Sequence, residues 1–179
     1  VRLWELRSRD LISHLKEHVG RVNSVVISED DTHCFSASRD RCALRWSLRH
    51  EKRTFCHMQR MGGLNCIILS KDESHLLTCG QERCLTFWNV SQENSVHRVE
   101  LDGDNDEAFA LAKSPDGSLL ATGGSAGILR LFSYESGKCL AVKTGHSRPI
   151  RALAFSPDAR QVISTGEDRA IFIWNIFKD

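Results

Sequence analysis

The sequence predicts an all-β protein built from a unit that repeats about every 42 residues. Three tryptophans of the 179-residue chain, Trp4, Trp46 and Trp88, are 42 residues apart. Phe132 follows Trp88 by 44 residues and precedes Trp174 by 42 residues. Each of these five aromatic residues ends a short apolar run, as in CALRW and CLTFW. Runs of this length and composition are typical of β-strands.

Each unit also contains further strand-like segments before the aromatic residue. The segments NSVVISEDD, NCIILSKDE, FALAKSPDG and RALAFSPDA alternate between apolar and polar residues and end in a polar turn. Almost no stretch shows apolar residues at helical spacing, so we interpret the one helix-like stretch, 49–59, as an outer strand with its loops. A repeat of 40–45 residues with four strands is typical of a β-propeller blade.

Composition argues against several functional classes. The chain has 24 basic and 23 acidic residues, and this balance disfavours both a disordered tail and a dedicated nucleic-acid binder. No apolar run approaches the length of a membrane span. The seven cysteines include no C-x-x-C pair, so we predict no metal site, and we expect reduced, buried thiols in the cytosol. No phosphate-binding loop is present, and we predict no cofactor and no small-molecule substrate.

The repeat resembles the WD-repeat family, and the resemblance covers essentially the whole chain. Asp40 and Asp168 stand six residues before Trp46 and Trp174, although the Trp-Asp dipeptide itself is degraded, as in Trp46-Ser47. The resemblance implies a partial WD-repeat β-propeller, with about four and a quarter repeats of a larger ring that commonly has about seven blades. We expect residues outside this chain to complete the ring, because open sheets would expose strand edges.

Analogy with the family also assigns the blades. We expect residues 1–179 to form the C-terminal portion of a propeller with seventeen strands. Residues 1–15 would hold the last two strands of one blade, and the next three blades would occupy about 16–60, 61–103 and 104–145. Residues 146–179 would form an incomplete blade that lacks its fourth strand.

Two sets of polar residues have a composition that could be catalytic. His18, Ser36 and Asp40 form a Ser/His/Asp set, which suits a hydrolase. However, the same spacing recurs in the last repeat, and no G-x-S-x-G motif is present. The family resemblance implies instead a structural hydrogen-bonded tetrad, and we predict that the protein is not an enzyme. The two predicted tetrads are His18, Ser36, Asp40, Trp46 and His146, Ser164, Asp168, Trp174.

The middle repeats depart from this pattern. One has Thr78, Glu82 and Trp88, with Arg60 at the spacing of the loop histidine. The other has Thr122, Ala126 and Phe132. We expect packing to hold these blades. Their divergence has two interpretations: ordinary sequence drift, or a surface that a partner completes. The predicted repeat core outside the tetrads is Trp4, Thr78, Glu82, Trp88, Thr122 and Phe132.

Charged residues fall in the loops at one edge of the predicted blades. An arginine follows the Asp or Glu of three repeats, and an acidic loop occupies 102–107. One interpretation is a solvated rim in which each arginine pairs with its acidic neighbour. The other is a site for an acidic protein partner, because guanidinium groups form forked contacts with carboxylates. The acidic loop likewise has two interpretations: a solvated loop, or a site that binds a basic patch of a partner. The candidate partner-binding residues are Arg21, Arg39, Arg41, Arg83, Arg148, Arg169, Asp104 and Asp106.

A narrower resemblance concerns particular segments. VRLWEL, SASRD and ATGGSAGILRLFSYESGKCLAVKTGH are similar to the C-terminal blades of ciliary and flagellar WD-repeat proteins. This resemblance implies a microtubule inner protein of axonemal doublets that contacts tubulin and neighbouring inner proteins. The alternative is a cytosolic or nuclear WD-repeat adaptor or substrate receptor of another complex. Under either interpretation we expect the chain to bind proteins, with no direct contact to nucleic acid or a membrane.

Overall fold

A computed structural model describes residues 1–92, 95–101 and 106–176, which form seventeen β-strands in five antiparallel sheets. The described residues contain no helix. The predicted all-β fold is therefore confirmed, and the stretch 49–59 contains the outer strand Lys52–Met58, as expected. The innermost strands of the four later sheets begin at Val22, Leu64, Ala108 and Ile150.

The five sheets follow one another along the chain, and we number them as blades 1 to 5. Blade 1 contains β1 (Arg2–Trp4) and β2 (Leu11–His14). Blade 2 contains β3 (Val22–Ile27), β4 (His33–Ser38), β5 (Cys42–Ser47) and β6 (Lys52–Met58). Blade 3 contains β7 (Leu64–Leu69), β8 (His75–Gly80), β9 (Cys84–Asn89) and β10 (Ser95–Glu100). Blade 4 contains β11 (Ala108–Lys113), β12 (Leu119–Gly124), β13 (Ile128–Ser133) and β14 (Cys139–Thr144). Blade 5 contains β15 (Ile150–Phe155), β16 (Gln161–Gly166) and β17 (Ile171–Asn175).

The hydrophobic core lies between neighbouring blades. Phe35 of blade 2 and Leu64 of blade 3 belong to one buried cluster, and Phe87 of blade 3 and Leu120 of blade 4 belong to the next. A third cluster joins blade 4 to blade 5. Burying a large apolar side chain contributes about 1.5–3 kcal/mol. The blades are therefore held together mainly by the packing of their faces, as layered β-proteins require.

Because consecutive strands are antiparallel, the loops alternate between the two edges of each sheet. We call the upper face the edge formed by the loops that precede each innermost strand and by the turns that join the second and third strands of each blade. Within the described residues these segments are 15–21, 39–41, 59–63, 81–83, 101, 106–107, 125–127, 145–149 and 167–170. The other loops form the lower face. The histidine and aspartate of each tetrad and the candidate arginines lie in these upper-face segments.

The turns between second and third strands share one backbone conformation. Arg41, Arg83 and Arg169 have φ angles of 73°, 60° and 65°, and Gly127 occupies the equivalent position with φ of 71°. Glycine suits this left-handed conformation, whereas other L-residues adopt it at some cost. In blade 2 the Asp40 carboxylate offsets this cost, because its Oδ1 accepts a hydrogen bond from the Cys42 N–H at 3.0 Å.

Blade 5 has three strands within the described residues, and an open groove of about 630 Å³ lies beside β17. Apolar side chains of Leu131, Leu140 and Trp174 line it. The expectation that residues outside this chain supply a fourth strand stays a prediction. The same is true of the blade limits 16–60, 61–103, 104–145 and 146–179, and the boundary between 103 and 104 lies outside the described residues.

Candidate functional site

The structure brings together the four residues of the first predicted tetrad. His18 lies in the loop before β3, Asp40 in the turn after β4, and Ser36 and Trp46 on neighbouring strands. His18 Nδ1 lies 2.8 Å from Asp40 Oδ2, and its Nε2 lies 2.7 Å from Ser36 Oγ. The Trp46 indole N–H donates to Ser36 Oγ at 2.8 Å. The chain of hydrogen bonds therefore connects the loop, the turn and the sheet.

The hydrogen-bonding capacities of these groups define a consistent proton arrangement. Ser36 Oγ accepts from Trp46 and retains its own proton, which it donates to His18 Nε2. His18 then carries its proton on Nδ1 and donates it to the Asp40 carboxylate. Burial raises the pKa of Asp40, but the hydrogen bonds from Cys42 and His18 outweigh it, so the pKa lies below its usual value.

The second predicted tetrad has the same geometry. His146 Nδ1 lies 2.8 Å from Asp168 Oδ2, and His146 Nε2 lies 2.8 Å from Ser164 Oγ. The Trp174 indole N–H donates to Ser164 Oγ at 2.8 Å. Ser36 and Ser164 are both 0% exposed. Neither hydroxyl is presented to a substrate, because each is buried and already hydrogen-bonded on both sides.

Blade 3 keeps half of the tetrad and replaces the rest. The Trp88 indole N–H donates to Thr78 Oγ1 at 2.8 Å, as in the complete tetrads. Glu82, at the aspartate position, accepts from the Met61 N–H at 2.5 Å and forms an ion pair with Arg98 at 3.2 Å. The carboxylate therefore still holds the upper loop, but through the backbone and without a histidine.

Blade 4 contains a buried ion pair that the sequence analysis missed. Thr122 and Phe132 are buried, and no indole is present at position 132. Asp106 pairs with Arg130, and Asp106 Oδ1 also accepts from the Ala126 N–H at 2.9 Å. The interpretation of Asp106 as a solvated or partner-binding residue is wrong, because its carboxylate is turned inward to neutralise this guanidinium. The available signal was Arg130 itself, a charged residue inside the apolar run ILRLF.

The candidate arginines all lie on the upper face. Arg21, Arg39, Arg41, Arg83, Arg148 and Arg169 are all exposed. Arg41 Nη1 donates to the Arg60 carbonyl oxygen at 3.3 Å. Within the described residues, none of the six forms an ion pair with a carboxylate. Their acidic neighbours are engaged elsewhere: Glu82 pairs with Arg98 and Glu167 with Arg151. Asp104, the remaining candidate, lies outside the described residues.

The described parts of the chain contain no cluster of three or more His, Cys, Asp or Glu side chains arranged to hold a metal ion. They also contain no helix with the length and hydropathy of a membrane span. All seven cysteines have free thiols.

Comparison with known proteins now decides the family. The family model described as "WD domain, G-beta repeat" matches residues 9–47, 95–133 and 137–175. The chain belongs to the WD40-repeat family. WD40 domains mediate protein–protein interaction and are generally non-enzymatic scaffolds.

Two of the most similar WD40 relatives carry the same name. Cilia- and flagella-associated protein 52 of Chlamydomonas reinhardtii is 33% identical over 97% of this chain, and the protein of that name from Mus musculus is 27% identical over 97%. The U3 snoRNP-associated protein-like EMB2271 of Arabidopsis thaliana is 25% identical over 98%. The chain covers only 28%, 28% and 31% of the lengths of these three relatives. The predicted similarity to ciliary and flagellar WD-repeat proteins is therefore confirmed.

Proposed function

We propose that this chain is part of a non-enzymatic scaffold in the doublet microtubules of cilia, where it stabilises the lattice by bridging tubulin and neighbouring inner proteins. The observation that carries the proposal is the alignment of 97% of the chain with two proteins named cilia- and flagella-associated protein 52. The proposed location is the axoneme, and the proposed partners are proteins.

The geometry of the tetrads supports a scaffold role. In blades 2 and 5, a histidine of the upper loop is hydrogen-bonded both to the turn and to the sheet. We propose that these tetrads hold the loops in fixed positions. Loops that are already ordered lose less conformational entropy when a partner binds. A rigid surface with several such loops allows one molecule to contact several partners at once, which raises the overall avidity.

A structural test follows from the proposed location inside the doublet. The full-length protein would be quantified by mass spectrometry in purified cilia, after detergent extraction and after washing at about 1 M salt, where the Debye length is about 3 Å. We expect the protein to remain with the doublets, because contacts inside the microtubule lumen are enclosed and poorly screened. A soluble protein of the ciliary matrix and an axonemal motor bound to the outer surface are the controls. Absence from cilia, or release by detergent, would contradict the proposal.

The second candidate is an adaptor in a complex elsewhere in the cytosol or nucleus. The observation that favours it is the U3 snoRNP-associated relative, which aligns with 98% of the chain. Immunoprecipitation of the full-length protein, followed by sequencing of associated RNA, separates the two. Recovery of U3 RNA would support the second candidate, and recovery of tubulin without U3 RNA would support the first.

A further inference from the structure

On the upper face, most acidic side chains point into the protein and most basic side chains point to solvent. Its carboxylates are largely turned inward: Asp40 and Asp168 bind histidines, Asp106 binds Arg130, and Glu82 binds Arg98. Each of these groups is therefore neutralised or hydrogen-bonded inside the protein. Asp106 and Glu82 are neutralised by arginines, whereas Asp40 and Asp168 keep their charge but have oxygens already engaged by histidines and backbone N–H groups.

The basic side chains of the same loops are turned outward. Within the described part of the upper loops, the exposed acidic residues are Glu17 and Glu167, and each is already paired with an arginine of a strand. Asp102 and Asp104 lie outside the described residues. The exposed basic residues are Lys16, Arg21, Arg39, Arg41, Arg60, Arg83, Arg148 and Arg169. The described surface of the upper face is therefore cationic, although the chain as a whole has a net charge of only +1.

Two exposed apolar residues lie among these arginines. Val19 is 94% exposed and Met61 is 72% exposed. They occupy equivalent places in the repeat, one residue after His18 and one residue after Arg60. Side chains this apolar gain free energy when a partner covers them. Blades 2 and 3 therefore combine positive charge with apolar contact area.

The upper loops of blades 2 and 3 are continuous with one another. Arg41 of blade 2 donates to the carbonyl oxygen of Arg60 in the loop that leads into blade 3. Gly63 lies so close to Arg39 that a Cβ atom would stand 2.9 Å from the Arg39 Cα. An open groove of about 650 Å³ borders this surface. Arg60, Arg83 and Arg98 line the groove together with Met61 and Leu101. Two carboxylates also line it: Glu82, which is paired with Arg98, and the exposed Glu100, so the arginines remain in excess.

We propose that the upper face of blades 2 and 3 binds an acidic segment of a partner protein that also carries apolar side chains. The inference rests on the proposed scaffold function and names the chemistry of one partner. Guanidinium groups form forked contacts with carboxylates, and the exposed Val19 and Met61 side chains provide apolar contacts beside them. The described upper loops contain no Phe, Trp or Tyr, and the nearby Phe109 of β11 already has the Arg151 guanidinium 4.3 Å from its ring centroid. The lack of a free aromatic face for stacking in these described loops favours a protein over single-stranded nucleic acid.

The test measures binding of defined probes to the purified full-length protein by fluorescence anisotropy. The first probe is a fluorescein-labelled peptide of four Glu-Glu-Leu triplets, and its matched control has Gln in place of every Glu. Besides the two peptides, an oligothymidylate of about twenty nucleotides tests for binding of single-stranded nucleic acid, because it is long enough to fill such a site. We expect the acidic peptide to bind at least about tenfold more tightly than the Gln peptide, because several carboxylates meet arginines.

Variants of the protein test whether the acidic peptide binds to the upper face. Arg39→Glu combined with Arg60→Glu is expected to weaken binding of the acidic peptide by about tenfold, because two attractive surface charges become repulsive. Arg49→Glu is the matched control, because Arg49 is an exposed arginine of blade 2 on the lower face. It should leave the affinity within about twofold. Met61→Gln should weaken binding by about threefold or more through loss of apolar contact.

Salt dependence of the wild-type protein tests the inference without any variant. Raising the salt concentration from about 0.05 M to about 0.3 M should weaken binding of the acidic peptide by about tenfold, because exposed charges are screened. Equal affinity for the Glu and Gln peptides, equal effects of the upper-face and lower-face variants, or tighter binding of the oligothymidylate would overturn the inference. Ciliary location is measured separately, so a protein found in the doublets that ignores the acidic peptide would refute only this inference.

Discussion

The buried pair between Asp106 and Arg130 gives the sharpest quantitative prediction. The two side chains are 3% and 5% exposed. Asp106→Asn keeps the shape of the side chain but leaves the Arg130 guanidinium buried without a counter-charge. Breaking one partner of a buried ion pair costs about 3–5 kcal/mol. The pair of Arg53 and Glu17 is the matched contrast, because its side chains are 45% and 40% exposed, and such pairs contribute about 0–1 kcal/mol.

Hydrogen exchange measured by mass spectrometry on the full-length protein reads out this cost locally. We expect the strands of blade 4 to open together, because contiguous strands commonly unfold as one cooperative unit. Peptides that cover Leu119–Ser133 would then report the free energy of this opening. A loss of about 3 kcal/mol corresponds to about a hundredfold faster exchange, since 1.4 kcal/mol is a factor of ten. We expect this change for Asp106→Asn, and less than about tenfold in blade 2 for Glu17→Gln.

A double variant separates the charge effect from a loss of packing. Asp106→Leu combined with Arg130→Met removes both charges and fills similar space, so protection should return close to the wild-type level. If Asp106→Asn accelerates exchange by less than about tenfold, the buried pair contributes too little free energy to stabilise blade 4. The same conclusion would follow if the double variant were as unprotected as Asp106→Asn alone.

Three further predictions concern other parts of the chain. Asp40→Ala should lower the free energy of unfolding in denaturant titrations by about 1–3 kcal/mol, because it leaves a histidine N–H without an acceptor; Asp168→Ala should also destabilise the protein, and unchanged midpoints would contradict the role of the tetrads. The Asp72 carboxyl should titrate by NMR with a pKa of about 2, chiefly because the Ser70 hydroxyl donates to it. Its stabilising contribution is present above its usual pKa of 3.8 and is lost as the pH falls toward about 2; a midpoint near the usual value would refute this. Burial raises the pKa of the Cys34 thiol to about 11, so iodoacetamide at about pH 8 should label Cys34 only after unfolding, and rapid labelling of the native protein would be inconsistent with its burial.

Much of the fold was predictable because a repeated sequence repeats the same local forces. Four of the aromatic residues, Trp46, Trp88, Phe132 and Trp174, pack in the clusters between blades, so their spacing of 42 to 44 residues reveals the unit. Trp4 keeps the spacing but is 49% exposed, so its assignment to the repeat core is not matched by burial in this chain. The innermost strands begin at Val22, Leu64, Ala108 and Ile150, in each case one residue before the alternating segment quoted from the sequence. The two complete tetrads were recognisable for the same reason, because His18 and His146 each precede the aspartate of their tetrad by 22 residues in the sequence.

The departures from the repeat were not predictable in the same way. The repeat predicts the role of a residue from its position in the unit. In blade 4 the aspartate and tryptophan positions of the tetrad hold Ala126 and Phe132, which cannot form its hydrogen bonds. Asp106 and Arg130 are 24 residues apart and follow no spacing seen in the other blades. Only the fold brings the loop before β11 against the side chain at the centre of β13.

The sequence by itself determined the all-β repeat, its length and the recurrence of the His, Ser, Asp and Trp positions, because these depend on local alternation and on fixed spacing. Their interpretation as structural tetrads came from the resemblance to the WD-repeat family. The tertiary structure decided which charges are exposed. Asp106 and Arg83 both belong to upper-face loops, yet one is buried and the other faces solvent. Such differences depend on which side chains from other strands reach each loop, and that information is absent from the local pattern of residues.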